Sequence, residues 1–338
     1  MKKEISLIDG CFDGFHKGHE NLIRNSLEAS GDLTLLVAIL DDEYTKNNKG
    51  PHRPIFPYEE RKRAIQDVFP EVLVESVGSA EELNRFKDRV GLWIRGEEHP
   101  IRYADEYAGV LEGCPEIVQP RTPGVSTSSD LASTEGFDNY WDGEIGFAIA
   151  DALTAVGDSL EEMDVPWTLA YGSLLGAVRH HQQEPWDDDI DCWIWGDKKW
   201  SEERLEEFRQ ALIRRSHNLL YSEFEGEWRV LVAKDENFDR AKLWPYIELY
   251  FMVEDAGDGW SNFKLGKRSK VDFKVGPGEA VAWMPENSDD IMDKLYGRDW
   301  RWLGKTRFRN HQDEQDVDEI RSCGLGYLEE KFDLQNKL

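Results

Sequence analysis

Basic residues are the scarcer charge in this sequence. Lys and Arg number 41 against 68 Asp and Glu, a formal charge of −27 over 338 residues. A sequence-independent nucleic-acid binder needs a basic footprint, and docking on an anionic membrane needs a polybasic patch; neither is expected of so acidic a chain. The acidity reads instead as a solvated, soluble surface. Cysteine is also sparse: Cys11, Cys114, Cys192 and Cys323 lie far apart, without the paired spacing of a metal site, which fits a reducing compartment. Missing too is any apolar run near the ~20 residues of a membrane span. The first motif begins at Gly10, which leaves no room for a signal peptide before it, so the expected location is the cytoplasm. Tryptophan is nearly absent from the first 140 residues, where Trp93 is the only one of thirteen. With 40% hydrophobic residues the chain is rich enough for packed cores, and its length suits two domains better than one.

The pattern of short apolar runs and helical stretches supports that division. In the first part, strands are predicted at Ile5–Ile8, Leu33–Leu40, Val72–Val77, Leu92–Ile94 and Glu116–Val118. Helices are predicted at His19–Leu27, Tyr58–Val68, Ala80–Arg89 and Ala104–Leu111. Strands alternating with helices imply an α/β fold with a parallel sheet, whose ligands bind at the carboxyl ends of the strands. The chain then turns polar around Thr127–Asn139, giving expected limits of 1–132 for the first domain, 133–139 for a linker and 140–338 for the second. Beyond it, helices are predicted at Tyr140–Met163, Gly172–Arg179 and Ser201–Ser216, and strands at Trp167–Ala170, Ile190–Trp195, Trp228–Ala233 and Tyr246–Val253, a mixed α+β pattern.

The first motif is Gly10-Cys-Phe-Asp-Gly-Phe-His-Lys-Gly-His19, set between a strand and a helix. Transferring a nucleotidyl group requires no protein nucleophile, because the substrate's own phosphate attacks the α-phosphorus. The protein positions two anions and stabilises the developing charge. A helix N-terminus supplies backbone N–H groups and a favourable dipole. His16 and His19 flank the turn as donors, and Gly10, Gly14 and Gly18 let the backbone approach the ligand. On these residues, with Phe12 and Asp13, positions 1–131 resemble the cytidylyltransferase-like nucleotidyltransferases, which implies a Rossmann-like sheet.

A second stretch, Arg121-Thr-Pro-Gly-Val-Ser-Thr127, resembles the signature of enzymes that activate glycerol 3-phosphate or phosphoethanolamine with CTP. It implies roles for Arg121 and Thr122 at phosphate, Gly124 as a flexible point, and Ser126 or Thr127 as a helix cap. The same resemblance implies a phosphate-contacting lysine after the second strand, Lys46 or Lys49; Arg61 or Arg63 in the following helix reads equally as a helper or as part of a solvated helix face. Base recognition maps to Arg95-Gly96-Glu97-Glu98-His99, where the family's acidic pair and Trp are altered, so ATP stays open as the alternative to CTP. Dimerisation through this domain is common in that family.

The second motif pairs Tyr171-Gly-Ser-Leu-Leu-Gly-Ala-Val-Arg179 with Pro185-Trp-Asp-Asp-Asp-Ile-Asp191. Strand residues two apart share a face, so Asp187, Asp189 and Asp191 are expected to converge on a divalent cation, with Glu248 from the apolar segment Tyr246–Phe251 as a further ligand. Mg2+ suits a few carboxylates plus substrate phosphate. Gly172 and Ser173 open a helix suited to phosphate, and Arg179 lies two turns on. These stretches, with Leu295–Trp300, are similar to the LicD and fukutin-type transferases over roughly 140–310. The resemblance implies a polymerase-β-like nucleotidyltransferase fold and movement of a phosphoalcohol from a CDP carrier to a sugar hydroxyl. His180 and His311 remain open between ligand contact and a plain polar role. Trp186, Trp193 and Trp195 read as core, and Trp260, Trp283, Trp300 and Trp302 as either loop structure or sugar-stacking rings.

Together the motifs describe a bifunctional enzyme. It would activate a small phosphoalcohol or phosphonate with CTP, then transfer the phospho-group to a glycan or other hydroxyl acceptor. The alternatives are an ATP-dependent adenylyltransferase with an accessory C-terminal domain, or a chain in which one half only binds ligand.

Overall fold

The computed structural model describes residues 3–97, 105–123, 131–196, 200–222, 227–231, 244–253, 266–306, 309–310, 315–316 and 319–338. The chain divides into two compact units, Met1–Ser133 with Cys323–Tyr327, and Thr134–Ser322 with Leu328–Leu338.

In the first unit, β1 (Ile5–Gly10), β2 (Thr34–Leu40), β3 (Leu73–Val77), β4 (Val90–Gly96) and β5 (Glu116–Gln119) form a wholly parallel sheet in the order β3-β2-β1-β4-β5. The central strands are apolar on both faces, as a sheet covered on both sides requires. Ile5, Leu7, Leu36 and Ala38 join one buried cluster, and Ile8, Leu35, Val37 and Ile39 the other. Strand order reverses at β1, between its neighbours β2 and β4, and ligands of such sheets bind outside the carboxyl ends at that switch. Helix α1 (Lys17–Ser30) starts there, directly after β1. α3 (Tyr58–Val68) has the expected bounds.

Two expected helices differ. Residues 81–86 form only a 3-10 turn, and 105–113 form successive turns. In the latter stretch Gly109, Leu111 and Gly113 all have positive φ, which ends helical geometry at each. Conversely, α2 (Asp42–Lys49) is a helix that apolar periodicity does not reveal, since only Thr45 in it is buried. Its Asp41 cap, whose carboxylate accepts from Tyr44 N at 2.7 Å, is the local signal for it.

The second unit is built on a five-stranded mixed sheet, in the order β6 (Trp167–Leu169), β7 (Ile190–Gly196), β10 (Tyr246–Val253), β9 (Glu227–Leu231), β8 (Asn218–Ser222). β7 and β10 run parallel and the other pairs antiparallel. A hairpin of β11 (Arg268–Val275) and β12 (Gly278–Pro285) lies against α4 (Glu144–Glu162). Its turn is tight: Gly276 has φ +53, and a Cβ there would sit 1.9 Å from Trp141 O. Helices α5 (Tyr171–His180) and α6 (Glu202–Arg214) follow β6 and β7. Tryptophans fill this core. Trp141, Trp167, Trp193, Trp195 and Trp300 are all buried in one cluster, so Trp300 is a core residue and not a sugar-stacking one. Of the stretch expected to be a linker, Phe137 is fully buried and meets Trp186 edge-on at 5.6 Å.

Two candidate active sites

The first site is assembled where β1 hands over to α1. His16 is the helix N-cap: its Nδ1 accepts from Gly18 N at 3.0 Å and His19 N at 3.4 Å, which leaves Nε2 to carry the ring proton. Gly18 permits this, because a Cβ there would lie 2.8 Å from the His16 ring. His19 stacks on His16 with centroids 3.8 Å apart. Burial, helped by the adjacent His16, Lys49 and Arg53, pushes the His19 imidazole down to about 3. It is therefore a neutral donor or acceptor at physiological pH. Its buried Nδ1 has no hydrogen-bond partner among the described residues, and such a group points to a ligand. Phe12 precedes this turn with φ 53, a costly conformation for a bulky residue that recurs at functional turns.

Other residues of the motif have protein partners. Asp13 is buried; it pairs with Arg53 Nε at 2.7 Å and accepts from Ile55 N and Phe56 N, both at 2.9 Å. It thus pins the 53–56 loop beside the turn. Arg61 is buried and donates to Cys11 O, Leu40 O, Phe56 O and Asp42 Oδ1, tying together the ends of β1 and β2. Arg63 pairs with Glu60. Gly10 packs beneath Phe12, whose ring lies 3.2 Å from where a Cβ would be. A cavity of about 90 Å3 beside the turn is lined by residues including Gly10, Tyr44, Thr45, Lys49 and Tyr107. Lys49, and not Lys46, borders it. Thr122 closes on α1, its hydroxyl accepting from Asn21 Nδ2 at 3.1 Å and its Cβ near Gly18. Arg121 N donates to Glu97 Oε2 at 3.4 Å, and Glu97 N to Gln119 O at 2.8 Å, while Gly96 ends β4 in open surroundings. Gly124, Ser126, Thr127 and His99 lie outside the described residues.

The second site is a buried knot of carboxylates. Asp189, Asp191 and Glu248 offer oxygens within 4.8 Å of one another, and Asp187, Asp188 and Asp189 form an adjoining group. Glu248 on β10 sits beside Asp191 on β7 in the parallel register. The spacing argument needs one refinement: β7 begins at Ile190, so Asp187 and Asp189 precede the strand, yet Asp189 still converges with Asp191 and Glu248, while Asp187 groups with Asp188 and Asp189. Indoles take over the role of the ladder there, with Trp141 Nε1 donating to Asp187 O and Trp244 Nε1 to Asp188 O. The acids are also held from below. Ser173 Oγ accepts from Asp191 N at 3.0 Å, Tyr250 OH donates to Glu248 Oε2 at 2.7 Å, and Gln183 Nε2 donates to Asp187 Oδ2 at 2.9 Å and to Asp189 O at 2.8 Å. Three buried carboxylates this close repel one another unless a cation intervenes. Their hard oxygen donors fit Mg2+.

Gly172 lets Asp187 pack on the start of α5, since a Cβ there would meet Asp187 Oδ2 at 2.2 Å. The preceding Tyr171 has φ 38, the second aromatic residue forced into left-handed geometry at a motif turn. Arg179 has a structural arrangement. It is buried and donates to Glu184 Oε1 at 2.9 Å, Leu303 O at 2.7 Å and Trp300 O. Burial lowers the neighbouring His180 from its ordinary value, and His311 lies outside the described residues. Tyr296 went unnoticed in the sequence as a site residue. Burial, reinforced by the charges of Asp187, Asp191 and Asp189, raises its phenol well above the usual value. The Leu295–Trp300 stretch was the signal for it.

Among the described residues, no helix is long and apolar enough to cross a membrane. Residues 7–156 match the family model for cytidylyltransferase-like proteins, and residues 164–276 match that for the LicD/FKTN/FKRP nucleotidyltransferase domain. The "Ethanolamine-phosphate cytidylyltransferase" of Dictyostelium discoideum is 42% identical over 66 residues, 19% of this chain and 17% of that protein. Its Arabidopsis thaliana counterpart is 43% identical over 61 residues, 18% of this chain and 14% of its own length. The "Bifunctional protein HldE" of Desulfatibacillum aliphaticivorans is 46% identical over 63 residues, 19% of this chain and 12% of that relative. The matched region thus spans well under a quarter of each of these three relatives.

Proposed function

We propose that this chain, which joins a cytidylyltransferase-like domain to a LicD domain, makes an activated CDP-linked donor with the first and uses it with the second. The observation that carries the reading is the pairing on one chain of an anion-suited turn at His16–His19 with the buried carboxylates Asp189, Asp191 and Glu248.

In the first step, a phosphate or phosphonate oxygen of the small substrate attacks the α-phosphorus of CTP. The bond from that phosphorus to the α–β bridging oxygen breaks, and pyrophosphate leaves with the electron pair. His16 and His19 donate to phosphate oxygens, joined by the backbone N–H groups that open α1 and by Lys49 and Arg121. A neutral His19 suits hydrogen-bond donation, which needs no proton transfer. In the second step, an acceptor hydroxyl oxygen attacks the phosphorus bearing the small alcohol, and CMP leaves. Asp191 or Asp187 takes the hydroxyl proton. Asp189, Asp191 and Glu248 would hold a divalent cation such as Mg2+, which when bound supplies positive charge to phosphate oxygens. A glycan hydroxyl is the acceptor class. One chain carrying both sites raises the local concentration of donor for the second step, and the nucleotide is drawn from the cytoplasmic CTP pool.

Pyrophosphate release, measured with CTP or ATP against a panel of phosphoalcohols and phosphonates, tests the first step. CTP-dependent release with one panel member is expected. Release with ATP alone would replace this reading by an adenylyltransferase, and no release with either nucleotide would sink it.

A further inference from the structure

The first unit includes a segment from late in the sequence, since Cys323–Tyr327 belongs with Met1–Ser133. The segment reads Cys-Gly-Leu-Gly-Tyr, and its first three residues are buried. Two glycines let its backbone come close to the loop around His52–Ile55. A Cβ at Gly324 would lie 3.0 Å from both Ile55 Cδ1 and Ile55 Cγ1, and one at Gly326 would lie 2.8 Å from His52 Nδ1. Tyr327 sets its ring against the His52 imidazole, with centroids 4.9 Å apart. Gly324 N also donates to Leu131 O at 2.8 Å, just past the Arg121–Thr127 stretch.

These contacts bear on the first site through one short loop. Ile55 N and Phe56 N donate to Asp13, and Arg53 pairs with the same carboxylate. Asp13 belongs to the Gly10–His19 turn itself. Arg53 is near enough to His19 for its charge to act on that imidazole, and Arg61 joins Phe56 O to Cys11 O. A shift of His52 or Ile55 is therefore passed to the turn through buried ionic hydrogen bonds. Misplacement by about 1 Å, even away from the chemistry, can cost roughly 100-fold in rate.

We propose that Cys323–Tyr327 is a positioning element of the first site. It holds the 52–56 loop, and so Arg53 and Asp13, in the geometry that anion binding at His16–His19 requires. Tyr327 and Gly326 act through His52, and Gly324 acts through Ile55. The first site is then incomplete at residue 132, where composition ends the first domain. The inference rests on the reading of the first unit as a CTP-using transferase and extends its site to residues that composition assigns to the second domain.

The test uses the full chain with Tyr327→Ala, Tyr327→Phe and Gly326→Ala. Pyrophosphate release from CTP should fall roughly tenfold or more in kcat/KM for Tyr327→Ala, with a raised KM for CTP. A mere loss of folded protein would lower kcat and leave KM unchanged. Tyr327→Phe keeps the ring and should stay within about twofold of the wild type on the same reasoning. Gly326→Ala should also raise KM, although alanine favours a helix over glycine, and it serves if Tyr327→Ala does not fold. Hydrogen exchange supplies a readout without substrate: the Ile55 and Phe56 amides should exchange faster in Tyr327→Ala and Gly326→Ala, while β7 amides keep their wild-type rates. Unchanged KM and unchanged exchange at Ile55 and Phe56 overturn the inference, as does equal loss of protection in β7. If the wild type releases no pyrophosphate, the CTP reading fails instead, and the exchange of Ile55 and Phe56 still decides whether the segment holds the loop.

Discussion

Protonating His19 in the folded protein should be costly, and the cost can be worked out. Its imidazole is pushed from 6.5 down to about 3, first by burial and then by the neighbouring His16, Lys49 and Arg53. The folded value lies below the unfolded one, so between the two the unfolded chain takes up a proton that the folded chain refuses. Stability then falls as pH drops through 6.5 towards 3, and the contribution is absent above about pH 7. At pH 5 the unfolded state is favoured by about 2 kcal/mol on this account, from 1.36 kcal/mol per pH unit. The readout must come from the first unit alone, which hydrogen exchange of the β1 amides Ile5–Gly10 provides. Between pH 7 and pH 5 the wild type should lose about 2 kcal/mol more protection than His19→Asn, which cannot titrate in that range. Parallel losses in the two proteins would show that His19 protonates in place without penalty, and the neutral-donor role would fall with it.

The second unit yields further expectations. Gly172→Ala places a Cβ 2.2 Å from Asp187 Oδ2, so the carboxylate must rotate away. Transfer activity should drop at least tenfold while pyrophosphate release is retained, and equal transfer would remove Asp187 from the site. Tyr250→Phe takes the 2.7 Å hydrogen bond from Glu248 and should weaken activation by Mg2+ or Mn2+ by roughly 10–100-fold, as loss of outer-shell support usually does; a metal titration of transfer reads this. Arg179→Met strands the buried Glu184 and two carbonyls and should cost about 3–5 kcal/mol in urea unfolding, a loss that a purely ligand-binding arginine would not cause. In the first unit, Asp13→Ala leaves the buried Arg53 uncompensated and should destabilise by a similar ~3 kcal/mol, visible as a lower Tm even without nucleotide.

The parallel sheet was legible because Ile5–Gly10 and Thr34–Leu40 are apolar on both faces, and His16 and His19 because a glycine-rich turn joins that strand to a helix. Helix α2 was not, since a short surface helix with one buried residue leaves no periodic trace; the choice between Lys46 and Lys49 went with it. Charge alone also hides partnership. Asp13, Arg61 and Arg179 have the residue types of ligand contacts, yet each is buried against backbone groups that lie far off in sequence. The strand spacing of Asp187, Asp189 and Asp191 did find the converging pair Asp189 and Asp191, but not the start of β7 at Ile190, ahead of which the distant indoles Trp141 and Trp244 bond the carbonyls of Asp187 and Asp188. Tyr296 feels the charge of the acids from a helix about a hundred residues downstream, a proximity no local pattern records.

The central claim is that two sites on one chain perform two separable steps. The most direct test assays His19→Ala and Asp189→Ala side by side, following pyrophosphate release from CTP and transfer of the phospho-group from preformed CDP product. The account predicts that His19→Ala loses release and keeps transfer, and that Asp189→Ala does the reverse. Loss of both activities in either variant, or full activity in both, would contradict it.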